Sequence, residues 1–244
     1  MPVDPAFDCG LRRCLAAWDL PISDAAVDLL WRHFELVIEK NVVMNLTRIT
    51  EPAEAAVKHY ADSLSIVARE APAHRQDNEI EASPRREGAH SRLDRPVRTV
   101  LDVGTGAGFP AVPLAVMRPD WTVTAIDGTR KKVDFVTSVA TTLGLTNLQA
   151  IHAHTAHWET GRRFDLVTFR ALAKLPAAIA ECGRFVAPGG RLIAFSTASG
   201  AAKDDLAPPA LANARLKACP PFAYELMHDE EAIRRALLVF RKTS

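Results

Sequence analysis

Residues 99–110 of the chain read TVLDVGTGAGFP, and no other stretch restricts the fold as tightly. An apolar run, Thr99 to Val103, meets three glycines in five positions, Gly104, Gly106 and Gly108, before a segment with the make-up of a helix. A strand that ends in glycines can turn sharply and bring bare backbone against a ligand, because glycine reaches dihedrals closed to other residues. The chain that follows repeats the alternation. Strand-like runs at Thr122–Asp127, Leu148–His152, Phe164–Phe169 and Arg191–Ser196 are separated by segments of helix length, such as Thr129–Leu143 and Leu175–Phe185, and Leu237–Arg241 adds a late strand. This pattern predicts an α/β fold built from βαβ units, with a mainly parallel sheet covered on both faces and a ligand site at the carboxyl ends of the strands.

Ahead of this unit, residues 8–69 predict helices, with apolar residues recurring through Ala26, Leu29, Leu30, Phe34, Val37 and Ile38, and with Pro52 at a first helical turn. Between the two parts, residues 71–98 hold almost no large apolar side chain and many charges of both signs, which predicts a flexible linker or inserted loop. The expected organisation is therefore a helical N-terminal cap over 1–70, a linker over 71–98 and a ligand-binding domain over 99–244. No apolar run approaches the roughly 18 residues that a membrane span requires, and the N-terminus carries acids where a signal peptide carries positive charge. A cytoplasmic protein with no membrane partner is expected. Cys9, Cys14, Cys182 and Cys219 show neither CxxC spacing nor a Cys/His cluster, so a metal site is not expected and the cysteines are read as reduced thiols.

The glycine loop admits two kinds of ligand. A dinucleotide fingerprint, GxGxxG, needs glycine at position 109, where this chain has Phe109-Pro110. The arrangement hxDxGxGxG, with Asp102 in its acidic position, suits S-adenosylmethionine, which has no pyrophosphate to cradle. Asp127 ends the next strand, 23 residues after Gly104, where a carboxylate can accept hydrogen bonds from both ribose hydroxyls; it can equally cap the helix near Arg130. The implied chemistry is methyl transfer.

The acceptor is narrowed by elimination. Cytosine C5 chemistry needs a nucleophilic cysteine in a Pro-Cys order, but the chain has Cys219-Pro220. Amino-group methylation uses an Asp/Asn-Pro-Pro-aromatic loop after the fourth strand, where this chain has Arg170 and three apolar residues; Cys219-Pro220-Pro221-Phe222 is read as a connecting turn. Guanine N7 needs neither, since its lone pair carries no proton and positioning alone can supply most of the catalysis. Arg170 could then grip a purine O6 or stack on the ring, or it could pair with Asp165 or another acid. A net charge of +1 does not advertise a nucleic-acid surface. Residues 1–70 hold 7 Lys/Arg against 11 Asp/Glu, leaving 23 against 18 for the rest, so any RNA surface must be local; Arg130-Lys131-Lys132, Arg162-Arg163 and Arg234-Arg235 are the candidates.

Taken in order, Asn45-Leu46-Thr47, Glu51-Pro52, HYADSL at His59–Leu64, LDVGTGAGFPAVPLAVMRPD, Asp127, Lys131-Lys132-Val133, Phe135 and Phe164-Asp165 leading to Arg170-Ala171 resemble the bacterial 16S rRNA guanine-N7 methyltransferases of the RsmG or GidB family. The resemblance implies a Rossmann-like class I methyltransferase fold with a seven-stranded sheet. It also implies S-adenosylmethionine as cofactor, 16S rRNA or the small ribosomal subunit as partner, and a monomer. Carried over by position, Gly104, Phe109 and the backbone of Thr155-Ala156 would contact the cofactor, alongside Asp102, Gly106, Gly108 and Asp127. Arg170 would lie in the cofactor or substrate pocket, and Asn45, His59, Asp62 and Ser63 would face it from the cap. Arg170, His59 and Asp62 are the expected substrate-positioning residues, with no general base required. The chain departs from the family pattern at Ala111 for glycine, Ala156 for an acid and Ser196-Thr197 for Lys-Gly. Two other functions remain open at this point: a methyltransferase with a small-molecule or protein acceptor, and a cofactor- or RNA-binding protein without catalysis. Asp127→Ala should weaken cofactor binding by about 1–3 kcal/mol, the scale of a lost buried polar contact; calorimetric titration that finds unchanged affinity would remove Asp127 from the site.

Overall fold

A computed structural model describes residues 2–71, 96–170, 174–203 and 208–243, so the predicted linker lies outside the described residues except for 71 and 96–98. Strands β1 (Thr99–Val103), β2 (Thr122–Asp127), β3 (Leu148–His152), β4 (Phe164–Phe169), β5 (Val186–Thr197), β6 (Leu216–Ala218), β7 (Phe222–His228) and β8 (Glu231–Lys242) form one sheet in the order β3-β2-β1-β4-β5-β8-β6, with β7 also on β8. The first five strands pair in parallel, and β8 runs antiparallel to β5. β1 and β4 are almost wholly buried apolar runs, as strands covered on both faces must be. Because β5 occupies one side of β8 along Arg235–Arg241, β6 at Leu216–Ala218 and β7 at Phe222–His228 follow each other along the opposite side. The sheet is thus seven positions wide, and its last position is a single edge broken by Pro220-Pro221, which cannot donate to the ladder. The expected connecting turn at Cys219–Phe222 is this break.

Four predicted strands match the observed ones at both ends, and two are longer. β5 begins at Val186, five residues before the expected start, because Ala187-Pro188-Gly189-Gly190 reads as a turn but continues the strand through a bulge opposite Phe164 and Leu166. Gly190 is required there, since a Cβ would sit 2.8 Å from the carbonyl oxygen of Asp165. β8 extends to Glu231 because pairing with β7 holds its polar half.

In the cap, α1 (Pro5–Ala16) is capped by Asp4, whose carboxylate accepts from the amides of Ala6 and Phe7, and α2 (Asp24–Met44) is capped by Ser23. The buried stripe of α2 runs through Val27, Leu30, Trp31, His33, Phe34 and Val37, rotated slightly from the predicted one. The third cap helix is composite: α-helical at Pro52–Ala55, π-helical at Ala56–Ala61 and α-helical again at Asp62–Glu70, with Pro52 in its first turn as expected. Every residue from Asp62 to Glu70 is buried, so this last segment lies inside the molecule. Cap residues such as Phe7, Leu30 and Leu64 belong to the same apolar core as Val100, Val123 and Leu237 of the sheet.

Two buried polar groups brace the glycine loop from opposite sides. Below it, Asp102 is fully buried and accepts from the Ala111 amide at 3.3 Å; burial raises its carboxyl to about 7. Above it, His33 of α2 is also fully buried: its Nε2 donates to the Ala107 carbonyl at 2.9 Å and its Nδ1 accepts from the Tyr60 hydroxyl at 3.1 Å. Burial lowers His33 to about 4. Gly108 lies between these supports with φ of 96°, and a Cβ there would come within 2.7 Å of Val112 Cγ2. Gly108→Ala should therefore lose at least the roughly 1–3 kcal/mol of a forced left-handed backbone, measured by urea unfolding. The two titrating groups act in opposite directions. Between about pH 6.5 and 4 the unfolded chain protonates His33 and the folded chain does not, so acid removes stability. Between about pH 7 and 3.8 the folded chain protonates Asp102 first, so acid adds stability. Asp102→Asn should leave only the first effect, and its unfolding free energy should fall on acidification from pH 7 to 5 relative to wild type by up to about 1.4 kcal/mol per pH unit; parallel curves would contradict the burial of that carboxyl.

Candidate active site

A cleft of about 470 Å³ opens at the carboxyl ends of β1 to β4. Its wall is Gly104 from the loop, Ile126 to Thr129 after β2, Lys132 on the helix Arg130–Leu143, Ala153 to Thr155 after β3, and Arg170 at the end of β4. The place follows from topology: crossovers to opposite faces of the sheet leave a crevice where β1 and β4 part. A second groove, of about 580 Å³, lies between α2 and the helix Arg130–Leu143, lined by Leu36, Val43, Phe135 and Lys131 among others, away from the strand ends.

Asp127 organises the cleft. One carboxylate oxygen accepts from the Gly106 amide at 3.1 Å and the other from the Thr129 amide at 2.8 Å. Asp127 does not cap the helix, whose N-cap is Thr129 with no side-chain cap hydrogen bond; its contact with the Thr129 amide shapes the turn before the helix while the carboxylate lines the cleft. Gly104 and Thr105 donate to the Ile126 carbonyl at 2.8 and 3.1 Å, which ties the loop to the end of β2. The positive φ of Gly104 (76°) and Gly106 (58°) makes this path possible. A Cβ on Gly106 would meet only the Gly104 carbonyl, 4.0 Å away, so that face of the loop is open.

The other expected cofactor residues divide. Thr155 lines the cleft in a 3-10 turn, Thr155–His157, while Ala156 beside it is exposed and outside the wall. Arg184, which sequence reasoning missed, holds this turn by donating to the carbonyls of Thr155 and Trp158. Asp102 is beneath the loop and makes no part of the wall. Phe109 turns away from the cleft into the cap, where it stacks on His59 at 4.6 Å and meets His33 and Tyr60 edge-on or tilted, each at 5.1 Å. His154, a further cleft residue without a sequence signal, lies over Gly128.

The expected positioning residues converge, but not as a row facing the cleft. Asp62 is fully buried and grips Arg170, with Arg170 Nη2 3.1 Å from Asp62 Oδ2. The same Nη2 donates to the Lys58 carbonyl at 2.7 Å. Asp165, the other expected partner of Arg170, instead accepts from the amides of Arg98 and Thr99. Burial, and next the Arg170 charge, lowers His59 to about 4, so it is neutral at physiological pH; its Nε2 lies 2.8 Å from the Thr47 hydroxyl. Asn45 stands apart: it is exposed and ends α2 in the left-handed conformation, while Asn41 fixes the Thr47 backbone. Ser63 donates to the His59 carbonyl at 2.6 Å. Of the basic clusters, Lys132 reaches the cleft and Arg162-Arg163 are exposed. Arg234 and Arg235 point to opposite faces of β8, as strand alternation requires, with Arg234 outward and Arg235 inward on Asp62. Thr197, one of the departures, caps the short helix Ala198–Lys203 through the Gly200 amide.

Among the described residues no three metal-ligating side chains come together, and no helix is long and apolar enough to cross a membrane. The cleft suits an adenosyl sulfonium ligand: an acceptor carboxylate stands at the end of β2, open backbone at Gly106, and cations at Lys132 on the helix after β2 and at Arg170 after β4.

The family model described as GidB, rRNA small subunit methyltransferase G, matches residues 89–207. A "Ribosomal RNA small subunit methyltransferase G" of Anaeromyxobacter sp. is 38 % identical over 195 residues, covering 79 % of this chain and 80 % of that protein. The protein of that name from Solibacter usitatus is 34 % identical over 177 residues, 72 % of this chain and 73 % of its own length. That from Lactococcus lactis subsp. lactis is 31 % identical over 232 residues, 93 % and 88 %. With a shared sequence over most of both chains and a cleft of matching chemistry, this protein belongs to the GidB family, rRNA small subunit methyltransferase G.

Proposed function

We propose that this protein transfers the methyl group of S-adenosylmethionine to N7 of a guanine in 16S rRNA. The observation that carries the reading is the meeting of the glycine loop, the Asp127 carboxylate and the Arg170 guanidinium around one cleft, in a chain whose relatives bear the name small-subunit rRNA methyltransferase. S-adenosylmethionine supplies a methyl group made electrophilic by its sulfonium. Asp127 would accept from the ribose hydroxyls, while Gly104, Gly106 and the Thr155 backbone let the ligand lie against the strand ends. Lys132 and Arg170 would balance the carboxylate of its amino-acid tail.

On the acceptor side the residues position and do not move protons. Guanine N7 attacks with a lone pair and loses no proton, so no base is needed, and His59, lowered to about 4 by burial, stays neutral and apolar-facing against Phe109. Arg170, about one fifth exposed, has donors beyond the one that Asp62 and Lys58 hold, and can present them to a purine O6 or a phosphate. The test is methylation of 16S rRNA or small subunits from a strain lacking the mark, followed by chemical cleavage at N7-methylguanine. One new cleavage site is expected. A protein that binds the cofactor but leaves the RNA uncut would overturn the proposal.

A further inference from the structure

We infer that Arg235, on the last strand of the sheet, is a positioning residue for the reaction: acting through the buried Asp62 carboxylate, it fixes the guanidinium of Arg170 at the cleft. Asp62 receives four donors, from Arg235 on β8, Tyr224 on β7 and Arg170 just after β4. Arg235 approaches side-on, with Nε 3.2 Å from Oδ1 and Nη2 3.2 Å from Oδ2, and so sets the plane of the carboxylate. The Tyr224 hydroxyl of β7 donates to Oδ1 at 2.7 Å, and Arg170 takes what remains of Oδ2 at 3.1 Å. Arg170 is then aimed by two acceptors on the composite helix, this oxygen and the Lys58 carbonyl.

Two of the four contacts on Asp62 come from one side chain on β8, 65 residues beyond Arg170 in sequence. Remove Arg235 and the carboxylate keeps only Tyr224 and Arg170. It is then free to rotate, and the cluster of two guanidiniums on one carboxylate falls from a net positive charge to none. Arg170 should respond by following the carboxylate away from the cleft. The inference rests on the proposed function for its kinetic expression, though not for its geometry.

The experiment compares Arg235→Ala, Arg235→Lys, Arg170→Ala and the double alanine variant. Each is scaled to cofactor-binding sites titrated by calorimetry, so that a misfolded fraction does not count. Arg235→Ala should lower kcat/KM on 16S rRNA at least about tenfold, the scale of coupling within one ion-pair network. Arg235→Lys should recover part of it, and the double variant should be no worse than Arg170→Ala alone. Losses that add, or that vanish once scaled to titrated sites, would overturn the inference. A second readout needs no turnover: the Arg170 Nε–H resonance, assigned through Arg170→Lys, should shift on Arg235→Ala, and an unmoved resonance would overturn it equally. If wild type leaves the rRNA unmethylated, the proposed function fails, and this resonance still decides the role of Arg235.

Discussion

A carboxylate taken wholly out of water must be met by donors that replace its lost hydration, and Asp62 is such a group. Its demand is answered by Arg170 after β4, Tyr224 of β7 and Arg235 of β8, the last of them 173 residues away in sequence. The cost of leaving any of these contacts unmade seats the composite cap helix in one place on the sheet. That seat then determines two contacts of the cap with the sheet side: the Lys58 carbonyl with Arg170, and the ring of His59 with Phe109. A π-helical stretch at Ala56–Ala61 carries these residues, and the altered winding just before Asp62 changes their phase relative to a regular helix.

The glycine loop depends on a complementary set of anchors. Asp127 holds it from the front, Asp102 from beneath and His33 from the cap, so three polar side chains from three elements fix a segment that its own glycines leave free. Specific capture of a cofactor needs this rigidity, because a loop that had to be ordered on binding would lose affinity to the entropy of ordering.

Much of this was legible in the sequence where the signal is local. β1, β2 and β4 are largely buried runs with turn residues at their ends, so their limits could be read closely, and Gly104 and Asp127 follow from the spacing of a strand end and its neighbour. Signals failed where long-range contact overrides local pattern. β7 and the polar start of β8 are strands because they pair with each other, and the Pro-Gly-Gly of β5 stays within the strand through a bulge opposite Phe164 and Leu166, with Gly189 at φ of 75°. Asn45 looked like a cleft residue but serves a helix end, and Phe109 looked like a cofactor contact but belongs to the cap's aromatic cluster. Arg235 sat in a basic pair that gave no hint of one member turning inward, since its partner is fixed only by the fold.

The stacking of Phe109 on His59 has a thermodynamic corollary. Phe109 is a residue of the cofactor loop and His59 a residue of the cap, and their rings share one buried cluster with Tyr60 and His33. Whatever orders one of these two segments lowers the freedom of the other, because their rings pack in the same buried cluster.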